Sequence, residues 1–353
     1  MQKITTLTAL FLLVIFFQFC SKTGGGLVST KAANPIMSFT TYNYLDTYPA
    51  HVQEALAASD NMPSTNPITN AGANLGRVLF YDKQLSRNGT TSCSSCHQQQ
   101  NSFSDSAALS SGLDGGSTSR HSMSLLNIRF YKTGKMFWDE RSASVEKQAL
   151  QPIQNHVEMD LALALLESKV KSIPYYPPLF QKAFGSTLID SNLIASALAQ
   201  FERSIVTYQS KYDRVKQGLE TFTSTEAAGE QLFLTVPANR TCASCHTPPM
   251  FITSNPSARF GLADTNDIGI NNRNNFKSGS LRNISIRSNL FHNGSVANVQ
   301  AMLTAGNPGS GKQAIPLHFL RTADIANLMA FLSTLTDRTI LTEPKFSDPF
   351  AVK

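Results

Sequence analysis

Two short runs carry the residues best equipped for chemistry: Cys93-Ser94-Ser95-Cys96-His97 and Cys242-Ala243-Ser244-Cys245-His246. A C-x-x-C-H run marks covalent c-type haem attachment, in which both thiols become thioethers and the following histidine binds iron. A single run would also fit a redox dithiol or part of a zinc site. Two runs absorb four of the chain's five cysteines and leave no equally good use for them. The reading is two haem c groups, one on Cys93, Cys96 and His97, the other on Cys242, Cys245 and His246. The groups facing those histidines across each iron then decide function. Methionine there raises the potential and suits electron transfer, whereas an open polar pocket admits a small oxidant.

Other stretches stand in a fixed order around the two motifs: Leu75-Gly76-Arg77-Val78-Leu79-Phe80, Phe137-Trp138-Asp139, Gln148 to Pro152, Glu158-Met159, Leu281-Arg282-Asn283 and Phe291-His292-Asn293-Gly294. With these the chain resembles the bacterial di-haem cytochrome c peroxidase family, including MauG-like enzymes, over nearly the whole mature length. The resemblance implies that His97 serves a low-potential, peroxide-reacting haem and His246 a high-potential haem where electrons enter. It places Trp138 between the haems, to assist electron passage, and it makes Glu158 the distal acid that moves protons during O–O cleavage. Gln148 and Pro152 would shape the same pocket. Read without the resemblance, Trp138 is a core aromatic and Glu158 a helix-start or surface residue.

Several positions depart from the family pattern. Glu140 stands where Trp-Asp-Gly-Arg is usual, which adds a charge near the inter-haem region. Gly112 to Ser117 lacks the distal histidine of the peroxidases, so the first haem is expected to be open without reductive activation, as in MauG-like proteins. His121 replaces an asparagine that helps bind calcium in the family. It can act as a calcium-region substitute, a hydrogen-bonding residue or an unexpected ligand; the second is preferred, and calcium stays open as a cofactor. The family's sixth ligand to the second haem falls near Gly306, which has no side chain to offer. Met302 lies one helical turn earlier and is the candidate, with His318 and Met250 as poorer ones. No tyrosine occurs after Phe291, so a tyrosine-ligated haem of the MauG kind is not expected by that route.

The elements that must position these residues read as helices with long loops. Apolar spacing predicts a short helix over 45–58, one over 70–82 with Leu75, Leu79 and Phe80 as its stripe, one over 161–173, and one over 190–208 capped by Asp190 or Ser191. Thr223 and Glu226 form a capping box before Gly229, Leu232 and Phe233. These repeat the spacing of Gly76, Leu79 and Phe80, again just ahead of a haem motif, which is an internal duplication. A last helix begins at Thr322, after a short one from Val299, and the residues from Asp337 are expected as a tail laid over the surface. The fold class is all-α, with two cytochrome c-like haem domains over 42–217 and 218–353 and a hinge at Gln217-Gly218.

Residues 1–20 resemble a bacterial lipoprotein signal. A basic start and an apolar run from Leu7 to Phe19, short for a membrane span, end at Cys20. Cys20 is the expected lipid anchor, and 21–41 a flexible tether. The expected location is the periplasm, held to a bacterial membrane. A composition of 41% hydrophobic and 15% charged residues suits a globular protein. The net charge of +6 precedes the haem carboxylates and comes with no dense basic patch, so nucleic acid is not an expected partner.

The function expected is reduction of hydrogen peroxide to water, with electrons from a small periplasmic redox protein, a cytochrome c or a cupredoxin. The alternatives are a MauG-like oxidase that modifies a partner protein and a di-haem electron carrier without turnover. Glu158 and Trp138 speak against a mere carrier. The resemblance also raises a homodimer, for which no interface is readable in the residues.

Overall fold

The computed structural model describes residues 39–235, 241–252, 267, 269–270, 276–304 and 320–351. Cys20 and the signal, most of the tether, Gly306 and His318 lie outside them. The fold is all-α. Among the described residues, extended pairing is limited to isolated bridges such as Met136 with Ser142 and Leu290 with Val296. No described helix is long and apolar enough to cross a membrane.

The first half opens with α1 (Ala50–Ser59) and α2 (Asn70–Tyr81). Pro49 delays α1 relative to the expected start, leaving Leu45 outside it and 57% exposed. Thr69 caps α2 by accepting the Gly72 N–H at 2.9 Å. The one-turn α3 (Cys93–Cys96) carries the first haem motif. It is followed by α4 (Val145–Gln154), α5 (Leu163–Ser172), α6 (Tyr176–Phe184) and α7 (Ser191–Ser204). α6 was not among the expected helices; Pro177 and Pro178 sit in its first turn, where a missing N–H costs nothing. Asp190 caps α7, accepting from Leu193 N at 2.8 Å, and Ile194, Ala197, Leu198 and Phe201 are fully buried.

The second half repeats the plan with α8 (Lys211–Lys216), α9 (Ser224–Thr235), the one-turn α10 (Cys242–Cys245), α11 (Val299–Thr304) and α12 (Thr322–Thr334). Thr223 and Glu226 exchange the two bonds of a capping box at 2.7 and 3.3 Å. α2 crosses α7 at Gly76, where an added Cβ would fall 2.0 Å from the Ala197 carbonyl oxygen. α9 crosses α12 at Gly229, where it would fall 2.0 Å from the Asn327 carbonyl oxygen. Each pair therefore closes backbone to backbone over a glycine.

The duplication extends into the loops, where Ser124-Leu125-Leu126-Asn127-Ile128 answers to Ser280-Leu281-Arg282-Asn283-Ile284. Phe103 and Phe251 both adopt positive φ (56° and 52°), and their carbonyls accept from Leu125 N and Leu281 N at 3.2 and 3.0 Å. Asn127 and Asn283 (φ 62° and 59°) bind Ile205 O and Leu335 O through their N–H groups. Their side chains accept from Thr207 N and Asp337 N at 3.0 and 2.7 Å. Phe137 and Phe291 share φ 68°, so Trp138 in the first half occupies the place of His292 in the second. Glu140 likewise takes the place of Gly294, at φ 57° against 64°. The left-handed region costs a non-glycine residue roughly 1–2 kcal/mol, which Glu140 offsets through a hydrogen bond from the Tyr131 hydroxyl.

The C-terminal tail corrects an expectation. Instead of lying over the surface it returns to the first half and enters its core. Ile340 and Phe346 are 3% and 2% exposed and pack with Leu79, Phe80 and Phe201. Its carbonyls are the reason: Phe346 O accepts from Tyr81 Oη at 2.6 Å, Lys345 O from Tyr44 Oη at 2.5 Å, and Pro344 O from Arg77 at 3.1 Å. Two prolines made this segment look like loop, and nothing local announces a docking site built from distant phenols.

Candidate active site

Each C-x-x-C-H run forms one helical turn that ends on its histidine. Ser92 N donates to Ser95 Oγ at 3.1 Å ahead of the first turn, and Thr241 Oγ1 accepts from Ser244 N at 3.2 Å ahead of the second. The His97 N–H donates to Cys93 O and the His246 N–H to Cys242 O, at 2.9 and 2.8 Å. His97 Nδ1 lies 3.0 Å from Phe103 O, so as a donor it fixes the ring and leaves Nε2 as the acceptor nitrogen. Ser278 Oγ lies 3.3 and 3.4 Å from the two ring nitrogens of His246. Burial pushes the Cys93 thiol well up and the Cys242 thiol to about 11. A redox dithiol needs the opposite shift, toward thiolate. Thiols on a one-turn helix, with a histidine at its end that lines a cavity, fit a covalently held haem in each half.

Two cavities lie beside these turns, and they are not alike. The first is lined by His97, Gln148, Pro152, Glu158 and Glu202. The second is lined by Cys242, Cys245, His246, Met302, Leu328 and Leu332. Gln148 and Pro152 are four residues apart on α4 and therefore share a face. The chain then turns sharply: Leu161 N donates to Ile153 O at 2.7 Å and Asp160, at φ 47°, donates to Asn155 O at 2.9 Å. This turn presents half-buried Glu158 to the cavity. Burial raises its pKa, and the Arg141 charge opposes the rise.

The Gly112 to Ser117 loop packs on the same turn, with Leu113 N donating to Val157 O at 2.7 Å. Gly112 is needed there, because a Cβ would sit 2.4 Å from that carbonyl oxygen. The loop in which the resemblance would put a distal histidine thus abuts the Glu158 turn without one.

Trp138 lines both cavities. Its Nε1 donates to His121 O at 2.7 Å, and its own carbonyl accepts from Lys277 N at 2.7 Å. The His121 N–H in turn donates to His292 O at 2.7 Å, which ties the two repeat-related positions through one residue. The His121 ring lies 3.1 Å from Ser104 Oγ and 3.1 and 3.0 Å from the carbonyls of Ala107 and Ala108. Those contacts match the hydrogen-bonding role among the three considered for it. Among the described residues no group of three or more His, Cys, Asp or Glu could hold a metal ion. Met250 is buried among Tyr48, Val52 and Ile252, apart from the residues that line the second cavity.

Three residues of the site had no role in the sequence reading. His292 is buried and stacked on Phe276, with centroids 3.6 Å apart and planes within 6°. Lys277 lies in the wall between the cavities, its ammonium 3.9 Å from the Tyr131 ring centre and its pKa lowered by burial to about 7. Glu202 is part of the wall of the first cavity. The repeat of Phe137 at Phe291 could have pointed to His292. Lys277 and Glu202 carry no local signal.

Comparison with known proteins places these features. The family model for di-haem cytochrome c peroxidase matches residues 70–221. The chain is 31% identical to the methylamine utilization protein MauG of Methylorubrum extorquens, over 77% of this chain and 80% of that one. It is also 31% identical to the cytochrome c551 peroxidase of Nitrosomonas europaea, over 75% and 79%. Among solved structures it is similar to a MauG-like protein associated with microbial copper homeostasis. The TM-score is 0.74 at 27% identity, over 88% of this chain and 100% of that one.

Proposed function

The chain belongs to the MauG and di-haem cytochrome c peroxidase family, and on that premise we propose that it reduces hydrogen peroxide to water with electrons from a small redox protein. The observation that carries this reading is the inequality of the two cavities. Glu158 and Gln148 line only the first, Met302 only the second, and Trp138 stands in the wall they share.

Cys93, Cys96 and His97 would hold one haem c, and Cys242, Cys245 and His246 the other. Bound haem would supply peroxide binding and electron storage, which no side chain provides. Met302, which lines the cavity on the His246 side, would be the second ligand there, a choice suited to electron entry. Trp138 is the aromatic across which an electron would pass between the two sites. Glu158 would take a proton from one oxygen of peroxide and return it to the other, the one that departs. Its burial supports that task, since a raised pKa keeps proton donation possible closer to neutral pH. Gln148 and Pro152 shape the space in which peroxide lies. Cytochrome c maturation outside the cytoplasm places the activity in the periplasm, with Cys20 as the lipid anchor.

Glu158→Gln removes the acid and keeps the shape. It should slow peroxide turnover on the order of 10²–10⁴-fold with both haems attached; turnover like that of the unaltered protein would contradict the assignment. A second reading, oxidation of a partner protein, draws support from the histidine-free Gly112 loop, which suits a first haem open in the oxidised state. Reaction of the fully oxidised protein with peroxide, followed by cross-linking or hydroxylation of a co-expressed partner, would favour it.

A further inference from the structure

Reducing one peroxide to two waters consumes two electrons and two protons. Glu158, in the mechanism above, relocates a proton that the peroxide already carries. Both protons consumed overall must therefore reach the cavity from elsewhere, and the cavity wall holds a carboxyl group that the mechanism does not use.

Glu202, on α7, is part of the wall of the first cavity and is 4% exposed. Its Oε2 is fully buried and makes no hydrogen bond among the described residues. The next residue does not pair with it: the Arg203 guanidinium binds Glu146 at 2.6 and 3.0 Å and Asn61 at 2.9 Å. Other charges on elements packed against α7 are also taken: Arg77 by the carbonyls of Thr40 and Pro344, Arg129 by Asp60, and Glu167 by the Ser191 N–H. Across the cavity, Arg120 and Arg141 pair with Asp139, and Arg120 also with Asp267. Among the described residues, Glu158, His97, His121, His292 and Lys277 are the remaining titratable side chains of the wall. A buried carboxylate so placed would be unpaired and costly, and the group avoids that cost by staying protonated. Burial, with the Glu146 charge adding to it against Arg203, pushes its pKa up to about 8.

We propose that Glu202 is a second acid of the His97 cavity, which holds a proton at rest and delivers it to the oxygen that remains after the O–O bond breaks. The inference rests on the reading of that cavity as the peroxide-reacting one. In the step, the Glu202 O–H bond breaks and a new O–H bond forms on that oxygen; the carboxylate takes a proton from solvent and repeats the transfer, so that two protons and two electrons convert the oxygen to water. The electrons come from the redox protein by way of the second site. A further proton from solvent restores the resting state.

Glu202→Gln is nearly isosteric and already neutral, so it keeps the packing and removes only the proton. The test compares it with Glu158→Gln in three measurements on the haem-loaded protein. Glu202→Gln should lower kcat on the order of 10²-fold with a much smaller change in the bimolecular reaction with peroxide, whereas Glu158→Gln should slow that bimolecular reaction. The fall of kcat above pH about 8, caused by loss of the Glu202 proton, should be present in the unaltered protein and absent in Glu202→Gln. Infrared spectra at pH 7 should show a protonated carboxyl C=O band that titrates in the same range and disappears in Glu202→Gln. A kcat and pH profile in Glu202→Gln like those of the unaltered protein, or the absence of that band at pH 7, would overturn the proposal. Failure of the underlying reading has a different mark: Glu158→Gln would then react with peroxide as fast as the unaltered protein.

Discussion

At the scale of single residues, the two cavities differ by a few side chains, and each can be questioned alone. Met302 lines the second cavity from α11. Met302→Ala should abolish the low-spin methionine-ligated signal of the second haem and lower its potential; an unchanged spectrum would reject Met302 as ligand. Glu202 gives a prediction about stability as well as turnover. Its folded pKa is raised to about 8 above the unfolded value of about 4.3, so the folded state holds the extra proton between them. Stability is then full below the unfolded value and is lost as pH rises toward the folded one. The melting temperature of Glu202→Gln should exceed that of the unaltered protein by an amount that grows from pH 5 to pH 8, as followed by calorimetry. Glu158 and Trp138 were legible in the sequence because each sits in a distinctive phrase. Glu202 was not, since a glutamate beside an arginine on a helix reads as a surface pair. Only the packing reveals that Arg203 pairs with Glu146 instead.

At the scale of elements, the protein is built from two copies of one device: a glycine crossing that brings two helices together beside a C-x-x-C-H turn. The repeat at Gly76 and Gly229 was readable from spacing alone. Its reason was not, because the Ala197 and Asn327 carbonyls that forbid a Cβ lie far along the chain. Gly76→Ala or Gly229→Ala must push the helices apart, at a cost of about 1–3 kcal/mol or more by the usual measure of overpacking. Denaturant midpoints should fall for both variants; a midpoint unchanged in either would show that the crossing has slack. The loop repeats could be read as well, in Ser124-Leu125-Leu126-Asn127-Ile128 and Ser280-Leu281-Arg282-Asn283-Ile284, but not the backbone hydrogen bonds at Phe103, Phe251, Asn127 and Asn283 that set their geometry. Within that frame one repeat places Trp138 where the other places His292, so a duplicated frame can hold two unequal sites.

At the scale of the whole molecule, the halves are joined by contacts that the local sequence does not announce. Arg282 and Asp213 form a fully buried pair at 2.6 and 2.8 Å, and His51 from α1 also reaches Asp213, at 2.9 Å. The Arg282 charge holds the Asp213 carboxyl far below the usual range. The stability this contributes is therefore present above the unfolded value near pH 4 and is lost as pH falls below it. Breaking such a pair costs about 3–5 kcal/mol, so Asp213→Asn should melt much earlier at pH 7 and show a flatter acid limb. The tail belongs to the same scale: Phe346→Ala, in the core of the first half, should cost about 3–5 kcal/mol although it lies nearly 250 residues beyond that half's haem motif. All of this serves to hold two unlike cavities on either side of Trp138. The most direct test of that claim is rapid mixing of the oxidised and the half-reduced protein with hydrogen peroxide, followed by optical and electron paramagnetic resonance spectra that separate the two haems. The account predicts that peroxide first changes the signal of the haem on His97, while the haem on His246 keeps a six-coordinate, methionine-type spectrum and changes only as it gives up an electron. Peroxide binding at the His246 haem, or at neither, would contradict it.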